Sequence, residues 1–272
     1  LVEFGWIKHN TSGFYMHALI RECIKSQIEE YDGYISKLKE FYLNREFFQD
    51  EYSITEKGMH FDIILNILKH IKFSNEQDIY IFYNLIQLLD FFSYYESLDD
   101  VVGLAIQELE KFEESKTRAK VGCDIFNAAG LAYLSYDKAK SLICFLSEKQ
   151  LLDKFFANNE KAYSSWYCNM GLAHIDIDFE KANQFLNKAL ELEKKHYGEN
   201  SIYVADVYHN IGKNYLSASK YKNACFYFEK AQRIKNERGY TYSLVKTEFA
   251  LANTLVFMLK EPFKTEDIEK IR

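Results

Sequence analysis

The stretch Tyr208-His209-Asn210-Ile211-Gly212-Lys213-Asn214-Tyr215, followed by Ala224, Phe228 and Ala231, decides how this chain folds. It follows the pattern W-x2-L-G-x2-Y…A-x3-F, with Tyr208 in the place of Trp, and so reads as two consecutive helices. The reason is steric. Gly212 lets the second helix touch the first, Ala224 and Ala231 give that second helix a flat face, and the larger chains fill the layers between pairs.

Outward from that stretch the pattern recurs. Tyr167-Cys168-Asn169-Met170-Gly171-Leu172-Ala173-His174, then Ala182, Leu186 and Ala189, is a second copy whose Gly171 lies 41 residues before Gly212. A third, Phe126-Asn127-Ala128-Ala129-Gly130-Leu131-Ala132-Tyr133, stands 41 residues earlier again, and its second helix is read with Ala139 and Ile143 across a further shortened turn. A period between 20 and 50 residues signals a solenoid. Looser copies run from Asp78 to Tyr94 with Leu98 to Phe112, and from Ser243 to Met258 with Ala252 at the glycine position. Pro262 stops that last helix, and Lys264 to Arg272 begins its partner.

Before residue 75 apolar residues keep three- and four-residue spacing over Phe14–Tyr31, Tyr34–Phe48 and Thr55–Ile71, which predicts three helices of divergent pairs. Strand-type alternation is sustained nowhere. The expected architecture is all-α: a right-handed superhelical solenoid of antiparallel helix pairs. Residues 1–75 are read as a capping or effector bundle and residues 76–272 as the repeat array, incomplete at its C-terminus.

Composition agrees. Among 272 residues there is one proline and there are 11 glycines, so helix breakers are scarce. Aromatic residues reach 17%, as expected where rings wedge helix layers apart. The net charge of −6 argues against a phosphate-backbone binder. Five cysteines, Cys23, Cys123, Cys144, Cys168 and Cys225, are scattered singly, which suits reduced thiols in a cytoplasmic protein and offers no metal site. No apolar run approaches the roughly 18 residues of a membrane span. Leu1 rather than Met leads the chain, so further residues are expected upstream. P-loop, GxGxxG, GxSxG and HExxH motifs are all missing from the sequence, and the acid pairs Glu29-Glu30, Asp99-Asp100 and Glu113-Glu114 are adjacent and diverge on a helix. No catalytic residue, metal ligand or cofactor is expected; the chain reads as a binder.

These copies resemble tetratricopeptide repeats. In that family the first helices of successive pairs line a concave groove, and the resemblance places Asn127, Asn169, Leu172, Asp206, His209, Asn210, Lys213, Lys246 and Asn253 on it as candidate peptide contacts. Asn169 and Asn210 occupy the same repeat position. A side-chain amide offers a donor and an acceptor, so it can pair with the N–H and C=O of an extended peptide regardless of that peptide's side chains. Lys213 and Lys246 are opposed by Asp124, Asp176 and Asp206, which disfavours a carboxylate-tail clamp and suits a basic or N-terminally charged peptide. His209 beside Asp206 is the one histidine placed to sense pH or touch a ligand.

Val207 to Ala231, above all His209-Asn210-Ile211-Gly212 with Tyr221-Lys222-Asn223-Ala224, is similar to the repeats of Gram-positive peptide-pheromone receptors of the Rap, PlcR, NprR and Rgg types. The resemblance implies a regulator that binds a short secreted signalling peptide and changes conformation. It implies DNA binding only through a domain missing from this chain, since residues 1–75 have neither the glycine turn nor the basic recognition helix of a helix-turn-helix. A Rap-like protein would bind a response regulator and carry a catalytic Gln; Gln27 and Gln49 are present, but no motif marks them. The alternative is a static scaffold, and Leu190 to Ser201 is similar to the long repeats of kinesin light chain. No membrane partner is expected, and a homodimer is left open.

Overall fold

The computed structural model describes residues 7–10, 13–16, 65, 68–69 and 72–260. Nine α-helices follow one another among them: α1 Tyr80–Phe91, α2 Leu98–Glu110, α3 Lys116–Tyr133, α4 Lys138–Phe155, α5 Glu160–His174, α6 Phe179–Tyr197, α7 Ile202–Ser217, α8 Tyr221–Glu237 and α9 Thr241–Lys260. The chain falls into two compact units, Leu1–Val121 and Gly122–Arg272.

In the first unit a short hairpin pairs β1 (Ile7–Asn10) with β2 (Gly13–Met16), Ile7 opposite Met16 and Asn10 opposite Gly13. This corrects the helix expected to begin at Phe14. Asn10-Thr11-Ser12-Gly13 is turn chemistry, and the aromatic pair that follows favours a strand, so the local signal wins over the spacing at that end. The rest of that segment, all of Tyr34–Phe48 and most of Thr55–Ile71 lie outside the described residues. Further along, α1 packs on α2, burying Phe82, Leu85, Ile86 and Leu89 with Leu98, Val101 and Ala105. A 3-10 turn over Glu76–Ile79 leads into α1, capped by the Asn75 side chain, which accepts from Asp78 N.

The second unit is a stack of antiparallel helix pairs, α3 with α4, α5 with α6, and α7 with α8, ending on α9. Polar caps start its helices. The side chains of Asp137, Asn159, Asp178 and Ser201 accept from backbone N–H groups in the first turns of α4, α5, α6 and α7. Each such cap is worth about 1 kcal/mol. α6 ends at Gly198 with φ +80°, a left-handed conformation that glycine adopts without strain.

The repeated glycines do what their spacing predicts. A Cβ on Gly130 would sit 2.4 Å from the Phe145 ring, on Gly171 2.6 Å from Leu186, and on Gly212 2.7 Å from Phe228. The first of these contacts corrects the register read for α4. Ala139 and Ile143 are exposed, whereas Ser141 and Phe145 are fully buried and Ser141 Oγ donates to Gly130 O at 2.7 Å. Ser141, Phe145 and Glu148 therefore stand 11, 15 and 18 residues after Gly130, as Ala182, Leu186 and Ala189 stand after Gly171. The turn is no shorter than in the next pair; a small serine and a buried carboxylate simply occupy the two alanine positions.

Candidate interaction face

The first helices of adjacent pairs, α5 and α7, touch, as do α7 and α9. On the face they share, Asn210 of α7 donates its amide N–H to the Sγ of Cys168 on α5 at 3.2 Å. Thiol sulfur is a weak acceptor, so this bond leaves most of the amide's capacity unused. Burial pushes the Cys168 thiol up to about 11, which keeps it protonated and unreactive at neutral pH. Asn169, the next residue of α5, is 7% exposed and has no hydrogen-bond partner among the described residues. An amide so placed costs free energy, on the order of 1 to 3 kcal/mol for each group left unpaired, unless something else meets it.

The neighbouring polar groups are already matched to one another. Asp206 on α7 lies 2.8 Å from the Nζ of Lys235, accepts from Ser243 Oγ at 3.1 Å, and remains half exposed. Lys235, on α8, is 1% exposed and also donates to Thr247 Oγ1 at 3.0 Å. His209 Nδ1 is 3.1 Å from the same hydroxyl, and its ring lies 5.3 Å from that of Phe228. Burial pulls the imidazole down to about 4, and Lys235 and Lys213 add to the effect against the opposing charge of Asp206. One hydrogen-bonded group thus ties α7, α8 and α9 together.

The remaining candidates are dispersed along the same helices. Asn127 on α3 directs its amide to the buried Glu148 carboxylate, 3.4 and 3.5 Å from its two oxygens. Leu172 is partly buried. Lys213 reaches solvent, yet the surrounding protein still lowers its ammonium pKa by desolvation, with Asp176 acting in the opposite sense. Such a pairing of access and desolvation is what a concave wall produces. Asp176, at φ +69°, is paired with Lys138 at 2.8 Å and accepts from Ser217 Oγ, contacts that lower its carboxyl pKa. Lys246 is exposed, its Nζ 4.8 Å from the centre of the Tyr242 ring, and Asn253 is partly buried on α9. With Asp176 and Asp206 each matched by a lysine, the charge argument for a basic peptide loses two of its three carboxylates.

The sequence pattern did not single out Lys235 and Glu193. Each stands four residues after the repeat's last alanine, Ala231 and Ala189, so the register itself was the available signal. Glu193 accepts from Ser164 Oγ at 2.7 Å through Oε1, while its buried Oε2 has no partner among the described residues. No group of three or more His, Cys, Asp or Glu that could hold a metal ion occurs among the described residues. Nor is any described helix long and apolar enough to cross a membrane. The face is suited to holding a polar backbone rather than to acid–base or metal chemistry.

Comparison with known proteins places this geometry. No curated protein matches the chain. Among solved structures, BtubC (BKLC) from P. vanneervenii superposes with a TM-score of 0.55 over 79% of this chain and 97% of its own, at 13% identity, a likeness of fold alone. Residues 205–238, which span most of α7 and all of α8, match the model of the tetratricopeptide repeat, and the helix pairs before them repeat the same contacts, so the chain carries a tetratricopeptide-like repeat region.

Proposed function

We propose that the second unit is a protein–protein interaction scaffold that docks an extended segment of a partner along the face of α5 and α7, held by the side-chain amides of Asn169 and Asn210. The observation that carries this reading is Asn169, buried to 7% exposure with its amide unmatched. Its repeat equivalent 41 residues on, Asn210, is bonded only to a sulfur. A peptide backbone supplies the missing N–H and C=O to both.

The static form of this reading is favoured by the polar ties between successive layers. Besides the Lys235 group, Asn214 Nδ2 donates to Phe179 O at 3.1 Å, joining α7 to α6, and Ser217 of α7 donates to Asp176. A switching receptor of the pheromone-sensing kind would use the same face. Small-angle scattering separates the two, since a receptor changes its radius of gyration on binding peptide and a scaffold keeps it.

The docking test is affinity selection from a library of short unstructured peptides on the wild-type chain, on Asn169→Leu and on Asn210→Leu. Peptides retained by wild type and weakened tenfold or more by either variant support the reading. Equal retention by all three chains, or none by wild type, overturns it.

A further inference from the structure

The last described helix is inverted relative to the others. α9 packs on α7 and α8 through hydroxyls: Thr247 and Thr254 are fully buried, donating to Ser243 O at 3.2 Å and Ala250 O at 2.7 Å, and Ser243 bonds Asp206. Its apolar residues point the other way. Val245 is 63% exposed, Phe249 68% and Leu259 70%, with Ala252 and Val256 exposed between them. These five are spaced 4, 3, 4 and 3 residues apart, which keeps them in one narrow stripe on the side opposite Thr247 and Thr254. In the preceding pairs the position of Ala252 is held by Gly130, Gly171 and Gly212, each covered by a large side chain of the second helix.

We propose that this stripe is a dimer interface, on which α9 of a second copy of the chain packs antiparallel about a two-fold axis. A stripe repeating at 3.5 residues is the seam that a straight helix fits, so the occupant is helical. Self-pairing fits the order of side-chain sizes. The antiparallel setting puts Phe249 against Leu259 of the partner subunit, and Ala252 against Val256 of the partner subunit, so each layer joins a larger chain to a smaller one. A two-fold contact also uses the same patch on both copies and closes on itself. The exposed apolar chains of α9 offer on the order of 600 Å² per copy, so pairing would bury about 1,200 Å², the lower edge of stable specific interfaces. The proposal is independent of the docking reading, because Asn169 and Asn210 lie on α5 and α7.

Sedimentation velocity of the full chain in reducing buffer tests it, alongside Phe249→Glu and Leu259→Glu. The expected result is a dimer at micromolar concentration for wild type, weakened at least tenfold in either variant, with helicity by circular dichroism unchanged. A wild-type monomer across the accessible concentration range overturns the proposal, as does a dimer that survives both substitutions. A monomer whose melting temperature falls in the variants also overturns it, and shows instead that the chain's own following residues cover the stripe.

Discussion

Lys235 and Asp206 meet at 2.8 Å with their exposures far apart, the lysine 1% exposed and the aspartate half in solvent. The two ends of this ion pair are therefore unequal. Removing the carboxylate leaves a buried ammonium held only by Thr247 Oγ1 and, at 3.4 Å, Ser243 O, whereas removing the ammonium leaves a carboxylate that water can reach. Asp206→Ala is expected to cost roughly 1 to 3 kcal/mol, and Lys235→Met less than about 1 kcal/mol. Urea midpoints of the two variants in the opposite order would show that the pair does not tie α7 to α8 in this way.

His209 makes stability depend on pH. Its folded value of about 4 lies below the ordinary value of 6.5, so between those limits the unfolded chain binds more protons than the folded one. Stability rises with pH through that window and is lost as pH falls from about 6.5 toward 4. The full contribution is at most about 3 kcal/mol, from roughly 1.4 kcal/mol per pH unit. His209→Gln should flatten the difference in melting temperature between pH 7 and pH 5; an unchanged slope would place the titration elsewhere.

Gly212 lies within a helix, where alanine would ordinarily stabilise by about 1 kcal/mol. Here the added Cβ meets the fully buried Phe228 ring at 2.7 Å, so Gly212→Ala should instead destabilise by about 1 to 3 kcal/mol. A glycine with no such neighbour provides the control: a Cβ at Gly103, in α2 of the other unit, meets nothing within 4 Å, and Gly103→Ala should not lower the melting temperature. Thermal unfolding of the two variants with the same sign would contradict the close-packed pair.

Asn169 separates stability from docking. Replacing it with leucine removes an unmatched buried amide, so Asn169→Leu is expected to be neutral or to stabilise by about 1 kcal/mol, while docking is lost. A large drop in melting temperature would mean that the amide has a structural partner.

Most of the second unit was legible in the sequence, because its contacts repeat. Gly130, Gly171 and Gly212 stand 41 residues apart, and each marks a helix–helix contact that the structure contains. The register of α4 was misread for a physical reason: alanine was sought at the flat positions, and Ala139 lay two residues before Ser141, which fills that position by bonding Gly130 O. The start of the chain misled differently, since Phe14 to Met16 carries helical spacing but follows a turn that closes a hairpin. On the candidate face, residue positions were legible and pairing was not. Lys235 reads as a surface lysine of an amphipathic helix, and only the packing of α9 over it reveals a buried charge serving Asp206. Likewise nothing in the spacing of α9 tells which of its faces, Thr247 and Thr254 or Val245 and Phe249, turns inward.

The central claim is that Asn169 and Asn210 hold a partner's main chain rather than its side chains. A double-mutant cycle on a selected peptide tests it most directly: single backbone N-methylations of the peptide are measured by calorimetry against wild type, Asn169→Leu and Asn210→Leu. The predicted result is that methylation at one or two peptide bonds weakens wild-type binding tenfold or more and has little further effect on the matching variant, a coupling of about 1 kcal/mol or more. Strictly additive losses at every peptide bond would contradict the claim.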